Sequence, residues 1–132
     1  MKYMTMVRGP ENFGPPPPAL MEAIGRLGEE AAKAGVLVET GGLAPSAMGA
    51  AKIRVAGGKI SVTDGTFSET KELIGGYAIF ELRGMEEAVA AAKEFMQLHL
   101  EHMPGWEGTC EVRMLATPGV DGACEADVHA HA

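Results

Sequence analysis

Residues 74–82, IGGYAIFEL, and residues 85–102, MEEAVAAAKEFMQLHLEH, decide the fold that the sequence predicts. In the first stretch, side chains alternate with a period of two, which predicts a β-strand over Ile74–Leu82. In the second, apolar side chains recur about every 3.6 residues, which predicts an amphipathic helix over Met85–His102. A further alternating run, Thr109–Leu115, predicts the strand that completes a β-α-β unit.

An equivalent unit is predicted at the start of the chain. It consists of a strand over Lys2–Val7, a helix over Pro17–Ala34 and a second strand over Val36–Leu43. Proline is tolerated in the first turn of a helix, and Gly35 supplies the left-handed residue that often ends one. The sequence therefore predicts two β-α-β halves.

A β-hairpin is predicted between the two halves. Ile53–Val55 and Ile60–Val62 alternate on either side of Gly57 and Gly58, the pattern of a tight hairpin turn. Right-handed crossovers place both helices on one face of an antiparallel sheet. The predicted fold is therefore α+β and ferredoxin-like, β-α-β-β-α-β, with an extra β-hairpin.

The other face of this sheet has no helix to cover it. Apolar residues alternate on both faces of several predicted strands. We therefore expect a second copy of the chain to cover the uncovered face, so that a homodimer forms a dimeric α/β barrel with a cleft at its edge. The alternative is a face that is wetted by solvent.

Composition and charge narrow the classes of partner. The chain has 132 residues, enough for one core, and we predict a domain over 1–116 followed by a polar tail over 117–132. The net charge is −7 and the 11 Lys and Arg residues are scattered, which argues against nucleic acid and against an anionic membrane surface. No apolar run approaches the roughly 20 residues that span a bilayer. With only Cys110 and Cys124, a reducing cytoplasm is the expected location.

The segment after the predicted hairpin carries a resemblance to a known family. Thr63–Glu72 reads TDGTFSETKE and is followed by LIGGY. This resembles the signature of the DGPF family of the YCII-related superfamily: Asp-Gly-Pro-Phe, a small residue, Glu-Thr-Lys-Glu, then Gly-Gly. Flanking residues from Met1 to Leu115 are also similar to that family. Thr66 stands where the family has Pro, and the helix Pro17–Ala34 lacks the His of a His–Asp pair found in a better-known branch.

The resemblance implies a ferredoxin-like homodimer and little about activity. Members of the family are largely uncharacterised, and the His–Asp acid/base mechanism does not transfer to a chain that lacks this His. Some members are encoded beside, or fused to, extracytoplasmic-function sigma factors. The resemblance therefore implies such a sigma factor as one candidate partner.

The signature loop holds the first candidate site. Asp64 and Glu69 are candidate catalytic residues, because a carboxylate beside a buried strand end can have a raised pKa and transfer protons. Thr66, Phe67 and Lys71 are candidate ligand-binding residues of the same loop. The alternative is architectural: an Asp-Gly turn with Phe67 in the core and polar atoms that cap backbone groups.

A second group of candidates lies on the predicted strands. Glu111 and Arg113 share one strand face at a spacing of two. They form either an ion pair or a site where Arg113 binds an anionic ligand through two hydrogen bonds. Tyr3 and Tyr77 are candidates to line the same cleft, and packing in the core or at its rim is the alternative for both.

These residues leave open whether the chain is an enzyme. His99 and His102 have helical metal-ligand spacing, but no pattern completes a site, so neither a metal nor another cofactor is expected. One hypothesis is a homodimeric module that binds a small anionic or polar ligand, or a regulatory partner. A second is a metal-independent enzyme that uses Asp64 or Glu69 as acid/base on a small polar molecule. A third is an accessory protein of a sigma factor.

Overall fold

The computed structural model describes residues 1–67 and 73–116. Strands and helices follow one another in the predicted order. They are β1 (Lys2–Gly9), α1 (Pro18–Lys33), β2 (Leu37–Gly42), β3 (Ala51–Ala56), β4 (Lys59–Asp64), β5 (Leu73–Glu81), α2 (Met85–His102) and β6 (Thr109–Met114). The predicted tail, 117–132, lies outside the described residues, so the division at residue 116 stays a prediction.

Four strands form one antiparallel sheet in the order β2-β5-β1-β6, which is called the main sheet below. β1 is central: Met6 pairs with Tyr77 of β5 on one side and with Glu111 of β6 on the other. β3 and β4 form a separate two-stranded sheet. This architecture confirms the α+β class and is compatible with a ferredoxin-like fold that carries a hairpin insertion. The pairing of two copies into a barrel stays a prediction.

The ends of α1 follow from the sequence. Pro17 precedes the helix and Pro18 occupies its first position, where a missing N–H is tolerated. After the helix, Gly35 has φ 75°, a left-handed conformation that glycine adopts without strain. Leu20, Ile24 and Leu27 form an apolar stripe along α1, on which Leu20 is fully buried and Leu27 is half-buried. In the described part of the chain, no helix is long and apolar enough to cross a membrane.

The main sheet has two distinct faces because side chains alternate along each strand. Tyr3 and Thr5 point beneath the helices and are 2% and 7% exposed. The opposite face is called the open face below. By strand register it carries Met4, Met6, Arg8, Tyr77, Ile79, Glu111 and Arg113. Its centre is apolar, and charged residues flank that centre.

The two helices cover the main sheet unequally. α2 contacts β1 and β6, whereas the principal contacts of α1 are with α2 and with β2, an edge strand. Ala88 and Ala92 of α2 are buried, and small side chains there allow close approach to the sheet. Because α1 rests on α2 and on the sheet edge, space remains between α1 and the middle of the sheet.

The β3–β4 hairpin, called the arm below, is a two-stranded unit with a tight turn. Gly57 and Gly58 have φ 57° and 74°, as a two-residue hairpin turn with positive φ at both central positions requires. Every residue of β3 and β4 is exposed. The principal contacts of each strand are with the other strand of the arm.

Candidate functional site

A cavity of about 1080 Å³ lies between the helices and the main sheet. Leu20, Ile24 and Leu27 of α1 form part of one wall, and Val7 and Phe80 of the sheet contribute to another. The cavity occupies the space that α1 leaves by resting on α2 and β2. The apolar stripe of α1 therefore lines a cavity.

The charged residues that border this cavity are acidic. They are Glu11, Glu30 and Glu94, and among the described residues no Lys or Arg borders it. Most of the other lining residues are apolar or glycine. Such a lining favours an apolar molecule that is neutral or cationic over an anion, because buried anions need partner cations or hydrogen-bond donors.

His99 borders the same cavity and is only 9% exposed. Its Nδ1 lies 3.1 Å from the carbonyl oxygen of Phe95, one turn earlier on α2. Because a carbonyl oxygen can only accept, Nδ1 donates in this hydrogen bond, which leaves Nε2 as the ring nitrogen that can accept. The imidazole packs against Phe95 and Trp106, with ring centroids 4.8 Å away in both cases. These contacts fix both the tautomer and the orientation of the ring.

Trp106 reaches this position because two glycines leave room for its indole. A Cβ atom on Gly9 would lie 2.8 Å from the indole, closer than the 3.0 Å that real Cβ atoms respect. A Cβ atom on Gly108 would lie 2.6 Å from the carbonyl oxygen of Arg8 and closer still to the indole. The two glycines therefore let Trp106 form part of the cavity wall beside His99.

Glu11 connects the cavity to the base of the arm. The backbone N–H and hydroxyl of Ser46 donate to the two carboxylate oxygens of Glu11 at 2.6 and 2.7 Å. Ser46 is 3% exposed, and its Oγ also accepts from the backbone N–H of Phe67 at 3.0 Å. Lys52 of β3 places Nζ 4.4 Å from the centre of the Phe67 ring. A continuous series of contacts thus joins the cavity border to the arm.

Three of the predicted residues of the signature loop lie at the base of the arm. Asp64 is the last residue of β4 and is exposed, Thr66 is exposed, and Phe67 is half-buried. None of these three residues borders the cavity. Glu69 and Lys71 lie outside the described residues. The catalytic and binding roles given to this loop from the sequence stay predictions.

Glu111 and Arg113 lie together on the open face as an ion pair. Arg113 Nη1 is 3.1 Å from Glu111 Oε2, and Arg8 Nη1 is 2.8 Å from Glu111 Oε1. The hydrogen bond from Arg113, followed by the positive charge of Arg8, holds the pKa of the Glu111 carboxyl below its usual value. Sequence reasoning missed Arg8, because it is 103 residues from Glu111 and only strand pairing joins them.

The two predicted tyrosines lie on opposite faces of the main sheet. Tyr3 is buried beneath the helices and does not border the cavity. Tyr77 is among the residues around the cavity, but its side chain lies on the open face, where its ring covers Gly41 and its hydroxyl donates to Glu39 Oε2 at 2.5 Å. That hydrogen bond, with desolvation and the negative charge of Glu39, raises the pKa of the Tyr77 phenol. The two rings therefore do not line one shared cleft.

The histidine spacing on α2 has a structural explanation. His99 is on the inward face, whereas the next residue, Leu100, is 74% exposed. Within residues 1–67 and 73–116, no three His, Cys, Asp or Glu side chains are grouped as metal ligands would be. The sequence signal that could have pointed to the cavity wall is an inward histidine four residues after Phe95 and shortly before the one tryptophan.

Comparison with models of protein families identifies a domain in this chain. Residues 1–97 match the YCII-related domain, so the match begins before β1 and ends within α2. The flanking similarity noted from the sequence as far as Leu115 extends beyond the matched residues. The comparison with curated proteins finds no match. Because the matched segment spans more than half of the 132 residues, the chain belongs to the YCII-related domain family.

Proposed function

We propose that this YCII-related protein binds a small, largely apolar molecule in the cavity between α1 and the main sheet. The cavity itself carries the proposal. Its volume, about 1080 Å³, lies just above the roughly 300–1,000 Å³ typical of small-molecule sites. Protein interiors are otherwise close-packed, so an apolar molecule between these walls gains dispersion contacts with both of them.

The lining supports a more specific class of ligand. Leu20, Ile24 and Phe80 suit an apolar body, and His99 Nε2 suits a single O–H or N–H group on that body. The acidic border disfavours a negative charge on the ligand. The anionic ligand expected from Arg113 gains no support here, because the guanidinium of Arg113 is paired with Glu111 on the open face.

A neutral fluorescent probe tests this proposal. N-phenyl-1-naphthylamine has an apolar body and one N–H group, and its emission rises when it enters an apolar site. We expect it to bind the wild-type protein with saturable, one-site behaviour. Binding should also raise the melting temperature, because a molecule that binds the folded state stabilises it by mass action.

Two matched glycine variants locate the site. Gly28 borders the cavity and Gly25 does not, yet both are on α1 and a Cβ atom on either would meet nothing within 4 Å. Gly28→Leu should fill part of the cavity and weaken probe binding at least about tenfold, equivalent to 1.4 kcal/mol. Gly25→Leu should leave binding unchanged. Both should stabilise α1 by up to about 1 kcal/mol, because Leu is a better helix former than Gly.

Equal probe affinity in the two leucine variants would contradict the proposed site. The two chains have the same composition and the same expected gain in helix stability, so a difference between them reports on the cavity alone. If no neutral apolar probe bound the wild-type protein, that result would also contradict the proposal.

The open face supports a second proposal, that two copies pair through it. Met4, Met6 and Ile79 form an apolar centre, and Glu111 with its two arginine partners lies beside it. Hydrophobic centres with polar rims are the usual composition of protein interfaces. Sedimentation velocity should show a homodimer that Ile79→Glu weakens. Leu100→Glu, at a site that is 74% exposed on α2, is the matched control and should leave the homodimer intact.

A further inference from the structure

The arm exposes a continuous apolar surface on one of its two faces. Strand register pairs Ile53 with Val62 and Val55 with Ile60, so these four side chains share that face. Their exposed fractions are 70%, 62%, 74% and 72%, respectively. The opposite face carries polar and charged residues: Lys52, Arg54, Lys59, Ser61 and Thr63. The arm is therefore amphipathic, and its apolar face is uncovered in one copy of the chain.

The base of the arm is fixed to the domain. Gly65 N–H donates to the carbonyl oxygen of Ala50 at 2.8 Å, which closes the hairpin at its open end. A Cβ atom on Gly65 would lie 2.5 Å from the carbonyl oxygen of Ser46, so the backbones approach closely there. Lys52 Nζ lies over the Phe67 ring near this base, while all residues of β3 and β4, on both faces of the arm, stay exposed.

A two-stranded hairpin that buries neither face is at best marginally stable in water. Contiguous exposed apolar patches on otherwise soluble proteins usually mark interaction sites. The arm belongs to a domain that anchors its base, but the anchor leaves all four apolar side chains exposed. A stable arm therefore requires a surface that packs against this face.

We propose that a second copy of this chain covers the apolar face of the arm. Charge complementarity selects this occupant. Residues 51–64 carry three basic and one acidic side chain, a charge of +2, whereas all other residues carry eight basic and 17 acidic side chains, a charge of −9. An arm that reaches the body of a second copy places its Lys and Arg side chains in a negative field.

Two-fold symmetry makes the arrangement reciprocal, because each copy then contributes one arm and receives one. This inference rests on the homodimer proposed above but concerns a different surface. The four apolar residues of the arm lie on the two-stranded sheet, whereas Met4, Met6 and Ile79 lie on the main sheet. Variants on the two surfaces therefore report on them separately.

The test uses the full chain and a cross-strand charge pair. V55K/I60E replaces two directly opposed apolar residues with opposite charges, which keep the two strands paired while removing half of the apolar face. R54K/S61E is the matched control, because it places the same type of pair on the polar face. We expect V55K/I60E to raise the dissociation constant of the homodimer at least about 100-fold, and R54K/S61E to change it less than about threefold.

A photo-crosslink locates the contact even if V55K/I60E folds poorly. p-Benzoylphenylalanine at position 60 should yield covalent dimers on irradiation, and the same group at position 61 should yield few. Raising the salt concentration should weaken the wild-type homodimer, because the proposed contact between arm and body is partly ionic.

Several results would overturn the proposal. They are a wild-type chain that stays monomeric at high micromolar concentration, a homodimer that V55K/I60E leaves intact, and crosslinks from position 60 that remain within one chain. A homodimer abolished by Ile79→Glu but insensitive to V55K/I60E would support pairing through the open face and exclude the arm. Binding of the monomer to vesicles of phosphatidylglycerol through the same four residues would identify a lipid surface as the occupant instead.

Discussion

Replacement of Gly108 by Ala tests the aromatic wall of the cavity. A Cβ atom at this position would lie 2.6 Å from the carbonyl oxygen of Arg8 and nearer still to the Trp106 indole. The carbonyl oxygen belongs to β1, which is held on both sides by neighbouring strands. The indole must therefore move, and it loses its packing on His99, where the ring centroids are 4.8 Å apart.

The expected loss of stability follows from two contributions. Overpacking of a well-packed site costs about 1–3 kcal/mol. Loss of an aromatic pair costs about 0.5–1.5 kcal/mol in addition to the free energy that is lost with the buried apolar area. The free energy of unfolding should thus fall by roughly 2–4 kcal/mol, which a domain with about 5–15 kcal/mol of stability survives in folded form.

Urea unfolding followed by circular dichroism measures this loss, and fluorescence reports on its cause. Trp106 is the one tryptophan of the chain, so a red shift in the emission of the folded variant shows that the indole has become exposed. Gly25→Ala is the control, because a Cβ atom there meets nothing within 4 Å. The control should gain up to about 1 kcal/mol. Stability of Gly108→Ala within about 0.5 kcal/mol of wild type, with unchanged emission, would refute the packing described for Trp106.

Three further substitutions have defined outcomes. In acid titrations followed by circular dichroism, the Glu111→Gln variant should lose less stability than the wild-type protein as the pH falls below 4.5. The lowered pKa of Glu111 stabilises the fold above that pH, and this contribution is lost as pH falls through the folded-state value. Ser46→Ala should destabilise the chain by about 1–3 kcal/mol in urea unfolding, because a buried hydroxyl that contacts Glu11 is lost. Glu39→Gln should lower the pKa of Tyr77 toward 10.0, because the hydrogen bond to Glu39 raises it. The ultraviolet absorbance of tyrosinate measures this pKa, and an unchanged titration would contradict the hydrogen bond.

Periodicity predicted the strands and helices because it records which side chains must share a face. The alternation in Ile74–Leu82 and the helical spacing in Met85–His102 correspond to β5 and α2 within one or two residues. Gly57 and Gly58 predicted the hairpin turn, because few other residues accept positive φ at both central positions. These features depend on residues that are close together in the chain, so they can be predicted from the sequence alone.

The cavity could not be predicted in the same way, because it depends on where α1 rests. A stripe such as Leu20, Ile24 and Leu27 indicates which face of α1 points inward. It does not indicate how closely the main sheet packs against that face. The link from Glu11 to Ser46 and the ion pair of Arg8 with Glu111 join residues that are distant in sequence. The acid/base and sigma-factor hypotheses stay predictions.

Intermolecular nuclear Overhauser effects from bound N-phenyl-1-naphthylamine to assigned methyl groups show directly whether the molecule occupies the cavity. We expect effects to Leu20, Ile24, Leu27 and Val7, which line the cavity between α1 and the main sheet. Effects confined to methyl groups of the arm, or to Met4 and Ile79 of the open face, would show that the probe binds elsewhere and would contradict ligand binding in the cavity.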